Sequence, residues 1–210
     1  MPFLPSLPDW GYHTYWYLGR AGGFVAFGLL LASIVLGLAI SSRLFDGVLA
    51  RPWFFEMHRF LSLFVIVAIL FHALIMLPDP YASFTPRELL LPFQSHIKNV
   101  AMSLGVFALY GSALVSFSFY VTRWIGQKTW RLLHYLTFPV FVLGLAHGIL
   151  AGTDTGLQEV QAYYTIGMLL VIFFLLYRIL AVRSQKSRTP RHAAEPSRAH
   201  APDSLAKPAT

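Results

Sequence analysis

Long apolar runs, separated by short segments that carry charges or prolines, are the main pattern along this chain. A helix of roughly 20 apolar residues crosses a hydrocarbon core of about 30 Å. Five runs are long enough, and they cover residues 21–42, 60–77, 99–122, 132–153 and 160–182. The pattern therefore predicts an all-α integral membrane helical bundle with about five transmembrane helices plus short interfacial segments.

The composition agrees with this fold class. Hydrophobic residues make up 56% of the chain and charged residues only 12%, whereas soluble domains carry about 25% charged residues. The chain has no cysteine, which excludes disulfides, iron–sulfur clusters, zinc–thiolate sites and covalently attached c-type haem. The net charge of +7 does not indicate a nucleic-acid partner, because the basic residues flank the apolar runs.

The basic residues predict the orientation, since cytoplasmic loops of membrane proteins are enriched in Lys and Arg. With five spans, one side carries only Arg20, Arg87 and Lys98. The other side carries Arg43, Arg51, Arg59, Arg123, Lys128, Arg131, Arg178 and the basic tail. We expect a multi-pass protein of the plasma (inner) membrane, with the N-terminus outside and the C-terminus in the cytoplasm. Residues 1–10 lack a basic region typical of signal peptides, so the first run is expected to remain in the mature protein.

Two segments outside the spans have their own character. Residues 1–182 are predicted to form the haem-binding transmembrane domain that the histidines below suggest. Residues 183–210 are rich in Arg, Ser, Ala and Pro, which predicts a disordered basic cytoplasmic tail that can contact anionic membrane lipid. Residues 87–96 mix apolar and charged residues and are predicted to form a short interfacial helix.

Four histidines carry the candidate chemistry. His58 and His72 lie near the two ends of the second run, and His134 and His147 lie in the fourth. Ionisable side chains inside a bilayer are costly, so they indicate function. Both runs cross in the same direction, which places His58 level with His134 and His72 level with His147. A haem iron takes one axial imidazole from each side, so each pair predicts one haem centre, with the two centres about 20 Å apart.

The helical period places the histidines of the second run on a common face but those of the fourth run on different faces. Fourteen residues separate His58 from His72 and return within about 40° of the same face, but thirteen residues leave His147 about 140° from His134 on an ideal helix. Pro139 lies between them and is expected to kink or retwist the helix.

Further residues near the histidines suit a haem. Arg59 and Arg131 are the candidates for binding the anionic propionates of the haem at the cytoplasmic side. Small residues on neighbouring helices provide flat space for a haem or allow close helix packing: Gly19, Gly22, Gly23, Gly28, Gly105, Gly111, Gly144 and Gly148.

Two other functions stay open on the residues alone. One is a self-contained reductase of ferric chelates, oxygen or quinone, with an outer pocket that uses His96 or Arg87. The other is a non-redox transporter or proton relay that uses the four histidines. It would need acidic partners within the spans, and none of the five runs contains Asp or Glu.

Three motifs resemble the ferric reductase-like transmembrane domain, over about residues 16–182. They are Leu18-Gly19-Arg20-Ala21-Gly22-Gly23, His58-Arg59 with His72, and Trp130-Arg131-Leu132-Leu133-His134 with His147. Ferric reductases, NADPH oxidases and the haem subunit of a bacterial methionine sulfoxide reductase system share this domain. The resemblance implies two b-type haems, ligated by His58 and His134 on the inner side and by His72 and His147 on the outer side. It also implies electron flow from a cytoplasmic flavin to an outer acceptor.

The chain departs from these relatives in two ways. It has no G-x-G-x-x-G loop and no room for a dinucleotide-binding domain, so the donor is expected to be a separate cytoplasmic flavin-type protein or a quinol. The chain would then be the haem-binding membrane subunit of an oxidoreductase. The methionine sulfoxide type is similar in size but typically lacks the first histidine, so His58 favours two full haem sites. Whether a flavin also binds the cytoplasmic loops is left open.

Overall fold

The computed structural model describes residues 10–44, 51–80 and 82–188, and these ranges contain helices and no strand. The helices are α1 (Trp10–Ser41), α2 (Arg51–Leu74), α3 (Pro86–Leu90), α4 (Asn99–Ser118), α5 (Thr122–His134), α6 (Thr137–Ala151) and α7 (Gln158–Arg188). Helices satisfy all their backbone hydrogen bonds internally, which the hydrocarbon of a bilayer requires. The predicted all-α class is confirmed.

Four of these helices are long and apolar enough to cross a membrane: His13–Ser41, Pro52–Leu74, Asn99–Ser118 and Gln158–Arg183. Helices α5 and α6 together form a fifth candidate that is bent by 43° at a short break. The protein is therefore a helical membrane bundle of four or five spans, in agreement with the prediction of about five.

Several predicted boundaries were wrong. Helices α1 and α2 begin at Trp10 and Arg51, well before the predicted residues 21 and 60, because helical geometry extends past the apolar run into polar and aromatic residues. The predicted interfacial helix over residues 87–96 is reduced to Pro86–Leu90. Helix α7 continues to Arg188, and the remainder of the predicted tail, with His192 and His200, lies outside the described residues.

The core forms where α1 meets α6 and α7, while α2 packs on α1 and α4 packs on α6. The rings of Phe27 and Phe141 stack at 5.5 Å between centroids, and Phe141 is only 1% exposed. The other buried apolar members are Leu30, Ile34, Leu38, Val65, Val140, Leu145, Tyr164 and Val171. This core holds α1 and α6 in fixed positions, and these helices support the side chains described below.

The break between α5 and α6 lies at Tyr135 and Leu136, next to His134. A proline ring clashes with the carbonyl four residues earlier, which here belongs to Tyr135, so Pro139 accounts for the position of the break. Thr137 donates its hydroxyl to the carbonyl of His134 at 2.6 Å, which satisfies one acceptor at the end of α5. The break turns the chain between His134 and His147.

The connection between α2 and α4 is fastened by Glu88, which is 9% exposed. Its carboxylate accepts hydrogen bonds from the backbone N–H and hydroxyl of Thr85, both at 2.8 Å, which completes a capping box at the start of α3. It also accepts from the backbone N–H of His96 at 3.0 Å and from the His96 ring. One carboxylate thus joins the two halves of the connection.

These contacts predict a pH dependence. The hydrogen bond from the His96 ring, followed by those from Thr85, lowers the pKa of Glu88 from 4.5 to about 2. Because the pKa is lower in the folded state, the stabilisation is complete above about pH 4.5 and is lost as the pH falls toward 2. We expect amide exchange over residues 82–98, corrected for the intrinsic rate, to be slow at pH 5–7 and to accelerate below pH 4.5.

Glu88→Gln should make this exchange fast and independent of pH over the same range. Glu159→Gln removes an exposed acid at the start of α7 and should leave the segment unchanged. An unaltered exchange profile in Glu88→Gln would show that the carboxylate does not fasten the connection.

Candidate functional site

The four sequence-predicted histidines form two pairs. The ring centroids of His58 and His134 lie 6.2 Å apart, with an interplanar angle of 76°. Those of His72 and His147 lie 6.1 Å apart at 71°. All four residues are partly buried. We refer to the two ends of the bundle as the His58 end and the His72 end.

The spacing within each pair suits two ligands on opposite sides of one metal ion. A metal–imidazole bond is about 2.0 Å, and a ring nitrogen lies about 1.15 Å from its ring centroid, so two such ligands place their centroids about 6.3 Å apart. Both observed separations agree with this value to within a few tenths of an ångström. The pairs are therefore spaced as axial ligands of a haem.

The hydrogen bonds at the His72 end fix the tautomers. Nδ1 of His72 lies 2.7 Å from the carbonyl oxygen of Gly19, and Nδ1 of His147 lies 2.8 Å from that of Ala101. A carbonyl only accepts, so both Nδ1 atoms carry the hydrogen and both Nε2 atoms keep a lone pair for a ligand. A ring N–H donated to a backbone carbonyl is typical of metal-binding histidines.

At the His58 end, the imidazole of His58 is likewise hydrogen-bonded to the backbone of α1, at Ser33. Nδ1 of His58 lies 3.5 Å from the hydroxyl oxygen of Ser33, which is a long contact for a hydrogen bond. The ring of His134 stacks on Trp130 with centroids 5.2 Å apart and 26° between planes. The Trp-Arg-x-x-His motif thus places its first and last residues one turn apart, in contact.

Glycines give three of the histidines room. A Cβ added at Gly23 would come within 3.1 Å of the His72 ring, and one at Gly37 within 3.1 Å of the His58 ring. A Cβ at Gly105 would lie 2.8 Å from the His147 ring, closer than real contacts allow. Sequence analysis predicted a role for Gly23 and Gly105 but missed Gly37. The spacing could have identified Gly37, because the interval of 14 residues from Gly23 to Gly37 equals the interval from His58 to His72.

A cavity of about 470 Å³ opens at the His72 end. His72, His147, Gly23 and Gly105 line it, together with apolar residues of α1, α2, α4 and α6. Its charged lining residues are Arg20, Glu88, Lys98 and Asp154. Arg20 is ion-paired with Asp154 and lies over the ring of Trp16, 4.3 Å from its centroid. The site is thus apolar in its depth and charged toward the chain connections.

Two buried donors have no hydrogen-bond partner within the described ranges. They are the indole N–H of Trp130, beside His134, and the hydroxyl of Ser112, which lines the cavity. Buried polar groups in native proteins are nearly always paired, so each donor is available to an acceptor on a bound group. A haem with its oxygen-bearing edge suits a site of this kind, and we conclude that the residues present fit the group.

The predicted propionate residues contact their own helices. Arg59 is ion-paired with Glu56 at 3.1 Å, and Arg131 donates from Nε to the carbonyl of Gln127 at 3.3 Å. Both side chains are exposed. Outside the two pairs, His13 is exposed beside Tyr17, and His96, a candidate for the outer pocket, is bound by Glu88. None of these four residues has a recorded contact with either histidine pair.

Two acidic residues, Glu88 and Asp154, line the cavity, but each is paired with a residue outside the two histidine pairs. Within the described residues, no three His, Cys, Asp or Glu side chains gather as ligands for a metal ion. Glu56, Glu88 and Asp154 are paired with Arg59, His96 and Arg20. None of these three carboxylates is paired with His58, His72, His134 or His147, so the contacts do not favour a proton relay through the four histidines. Two histidine ligands per site suffice for haem.

A comparison with protein-family models gives one match. The model described as "Ferric reductase like transmembrane component" matches residues 22–145, more than half of the chain. The matched segment contains His58, His72 and His134 and ends two residues before His147. No curated protein and no solved structure matches the chain significantly.

Proposed function

The chain belongs to the ferric reductase-like transmembrane family, whose members are membrane redox proteins, and we propose that it carries electrons across the bilayer through two b-type haems. The observation that carries this proposal is the presence of two histidine pairs, each at the separation of opposed axial ligands, at opposite ends of one bundle. Family membership supports a haem-based function in general, and the two pairs support two haems.

Each pair has a defined part in this proposal. His58 and His134 would hold one haem, and His72 and His147 would hold the other. In His72 and His147 the Nε2 atom is the free ring nitrogen. When bound, haem supplies a one-electron carrier whose potential the protein tunes. The chain itself orients the imidazoles through Gly19, Ala101 and Ser33, and its apolar core keeps water from the region between the pairs. This provides a low-dielectric path across the membrane.

The direction of transfer follows from the orientation that the basic residues favour. The His58 end carries Arg59 and Arg178, and Arg178 donates to the Ser41 carbonyl at 2.7 Å. The positive-inside rule places this end in the cytoplasm of a cell with a plasma (inner) membrane. Haem bound by His58 and His134 would then accept electrons from a separate cytoplasmic flavin-type protein or a quinol, and haem bound by His72 and His147 would deliver them to an acceptor on the outer side.

The self-contained reductase remains the second candidate, and the cavity at the His72 end favours it. The lining of this cavity combines apolar residues with the charged side chains of Arg20, Lys98 and Asp154, so a polar acceptor can approach the outer haem directly. In that case the outer acceptor is a small molecule, such as a ferric chelate, oxygen or quinone, and not a partner subunit.

The test of the main proposal is the reduced-minus-oxidised optical spectrum of the purified full chain, with haem quantified per polypeptide. We expect two b-type haems per chain from cells with an ample haem supply. One haem would restrict the function to a single centre. A chain that folds but contains no haem would contradict the electron-transfer proposal and favour a non-redox role for the histidines.

The close approach of the His147 ring to Gly105 gives a more specific prediction. Gly105→Ala places a methyl group 2.8 Å from the His147 ring, so the ring has to move from its position opposite His72. We expect this variant to lose most of the haem at the His72 end and to keep the other haem. Gly156→Ala is the control, because a Cβ added there meets no atom within 4 Å. Equal haem contents in both variants would contradict the assignment of this site.

A further inference from the structure

One cation that lines the cavity is not paired with an acid. Of the two acids in the lining, Asp154 is ion-paired with Arg20, and Glu88 is bound by His96. Lys98 lines the same cavity and forms no ion pair with an acid in the described part of the chain. The cavity therefore contains one positive charge that a bound anion can neutralise.

Lys98 lies beside the histidine of α6 on two helices at once. Its ammonium donates to the carbonyl of Ala151 at 3.1 Å, and Ala151 is the last residue of α6, four residues beyond His147. Three residues after Lys98, the carbonyl of Ala101 accepts the hydrogen bond from His147. Four residues of a helix rise about 6 Å, so the ammonium lies about one turn from His147, on the side away from the His58 end.

The backbone of Lys98 is strained. Its dihedral angles are φ 42° and ψ 50°, in the left-handed region, immediately before α4 begins at Asn99. Glycine and asparagine adopt this conformation at lower cost than lysine does. Strained backbone persists where the surrounding structure imposes it, and it clusters at ligand sites. Here it accompanies a side chain that reaches from the start of α4 to the end of α6 along the cavity.

The polarity of the cavity suits a haem with its carboxylates toward the chain connections. The apolar part of the lining includes Leu30, Ile69 and Leu109, whereas the charged residues lie near the connections. The periphery of a haem is apolar except at the edge that bears the propionates. A carboxylate buried among apolar side chains is costly, so this edge belongs at the charged end of the cavity. Arg20 is already paired there, which leaves Lys98 for the carboxylate.

We propose that Lys98 binds a propionate carboxylate of the haem held by His72 and His147, and that it thereby makes this haem easier to reduce. Hydrogen bonds between an ammonium and a carboxylate are among the strong ones. An uncompensated carboxylate favours ferric iron, which carries one more positive charge than ferrous iron, and the ammonium offsets this effect. This inference rests on the proposed haem function.

The test is a redox titration of Lys98→Gln in a full-length His58→Ala background, in which only the haem at the His72 end should remain. Glutamine removes the charge but keeps an N–H donor for the carbonyl of Ala151. The midpoint potential should fall, by up to about a tenfold change in the one-electron equilibrium, or about 59 mV. Lys98→Arg keeps the charge and should keep the potential. If the background does not fold, the chain with both haems serves, because only one of its two components should shift.

Haem dimethyl ester separates the carboxylate from other effects of Lys98, because its propionates carry no charge. Without a carboxylate to hold it, the ammonium is screened by solvent. In protein reconstituted with the ester, Lys98→Gln should therefore shift the potential by less than half as much as with haem. Lys128→Gln is the matched control, because it removes an exposed lysine of α5, the helix that carries His134, and should leave the potential unchanged.

An unchanged or raised potential in Lys98→Gln, with haem still bound, would overturn this inference and leave the proposed function intact. An equal shift with haem and with its dimethyl ester would overturn it as well, because the effect of Lys98 would then not depend on the carboxylate. A chain that folds but binds no haem would overturn both.

Discussion

Replacing His147 with alanine should remove the haem at the His72 end and leave about one haem per chain. His147 and His72 meet at this end with the separation expected of two haem ligands, and the carbonyl of Ala101 fixes the tautomer of His147. The pair His58 and His134 is formed by other residues and should be unaffected. Haem quantification and the low-temperature reduced spectrum should show the loss of one α-band component.

The reciprocal variant and a control make this result specific. His58→Ala should remove the other component, and the double variant His58→Ala/His147→Ala should bind no haem. His13→Ala removes an exposed histidine outside both pairs and should retain two haems. Loss of both haems in each single variant, with the protein still folded, would show that the chain does not hold two independent sites.

The sequence alone was sufficient for the fold class, and its prediction that His58 lies level with His134 and His72 with His147 agrees with the two pairs in the structure. Uncharged runs of sufficient length predict spans, and the direction of successive spans predicts which histidines lie level with one another. Hydropathy does not mark where a helix begins, because α1 and α2 continue beyond the apolar run into residues such as Trp16 and Glu56.

The sequence predicts that the helix between His134 and His147 is distorted, but it does not predict the form of the distortion. Thirteen residues on an ideal helix would place these side chains on different faces. Pro139 predicted a kink, and the structure has a break of the helix at Tyr135 and Leu136 with a bend of 43°. Its position follows from the clash of the proline ring with an earlier carbonyl, but the resulting angle depends on how α6 packs against α4.

The contacts that support the histidines were mostly inaccessible from sequence. The acceptors for His72 and His147 are backbone carbonyls, which leave no side-chain signal. The role of Ser33 depends on which face of α1 meets α2. Likewise, the sequence indicates only that Glu88 is a charged residue between two spans. In the structure its carboxylate accepts hydrogen bonds from Thr85 and His96 and so joins the two halves of that connection.

Transmembrane electron transfer should require both haems, and this is the second prediction with a large effect. The full chain is reconstituted into tight vesicles that contain ferricyanide, and dithionite is added outside. Wild-type protein should reduce the trapped ferricyanide. Loss of either haem would leave electrons to cross directly between the remaining haem and the far side of the membrane, past the empty site that lies about 20 Å away along α2, since fourteen residues at 1.5 Å each separate His58 from His72. Electron tunnelling falls steeply over such a distance.

His58→Ala and His147→Ala should each lower the transfer rate more than tenfold, equivalent to at least about 1.4 kcal/mol in the activation barrier. His13→Ala vesicles should transfer at the wild-type rate, which controls for leakage and for the amount of protein incorporated. A His58→Ala chain that still binds the other haem and transfers at full rate would place the electron path outside the two histidine pairs. Equal losses in both variants would instead show that the two pairs act in series, because a path through either haem alone would be slowed by only one of them.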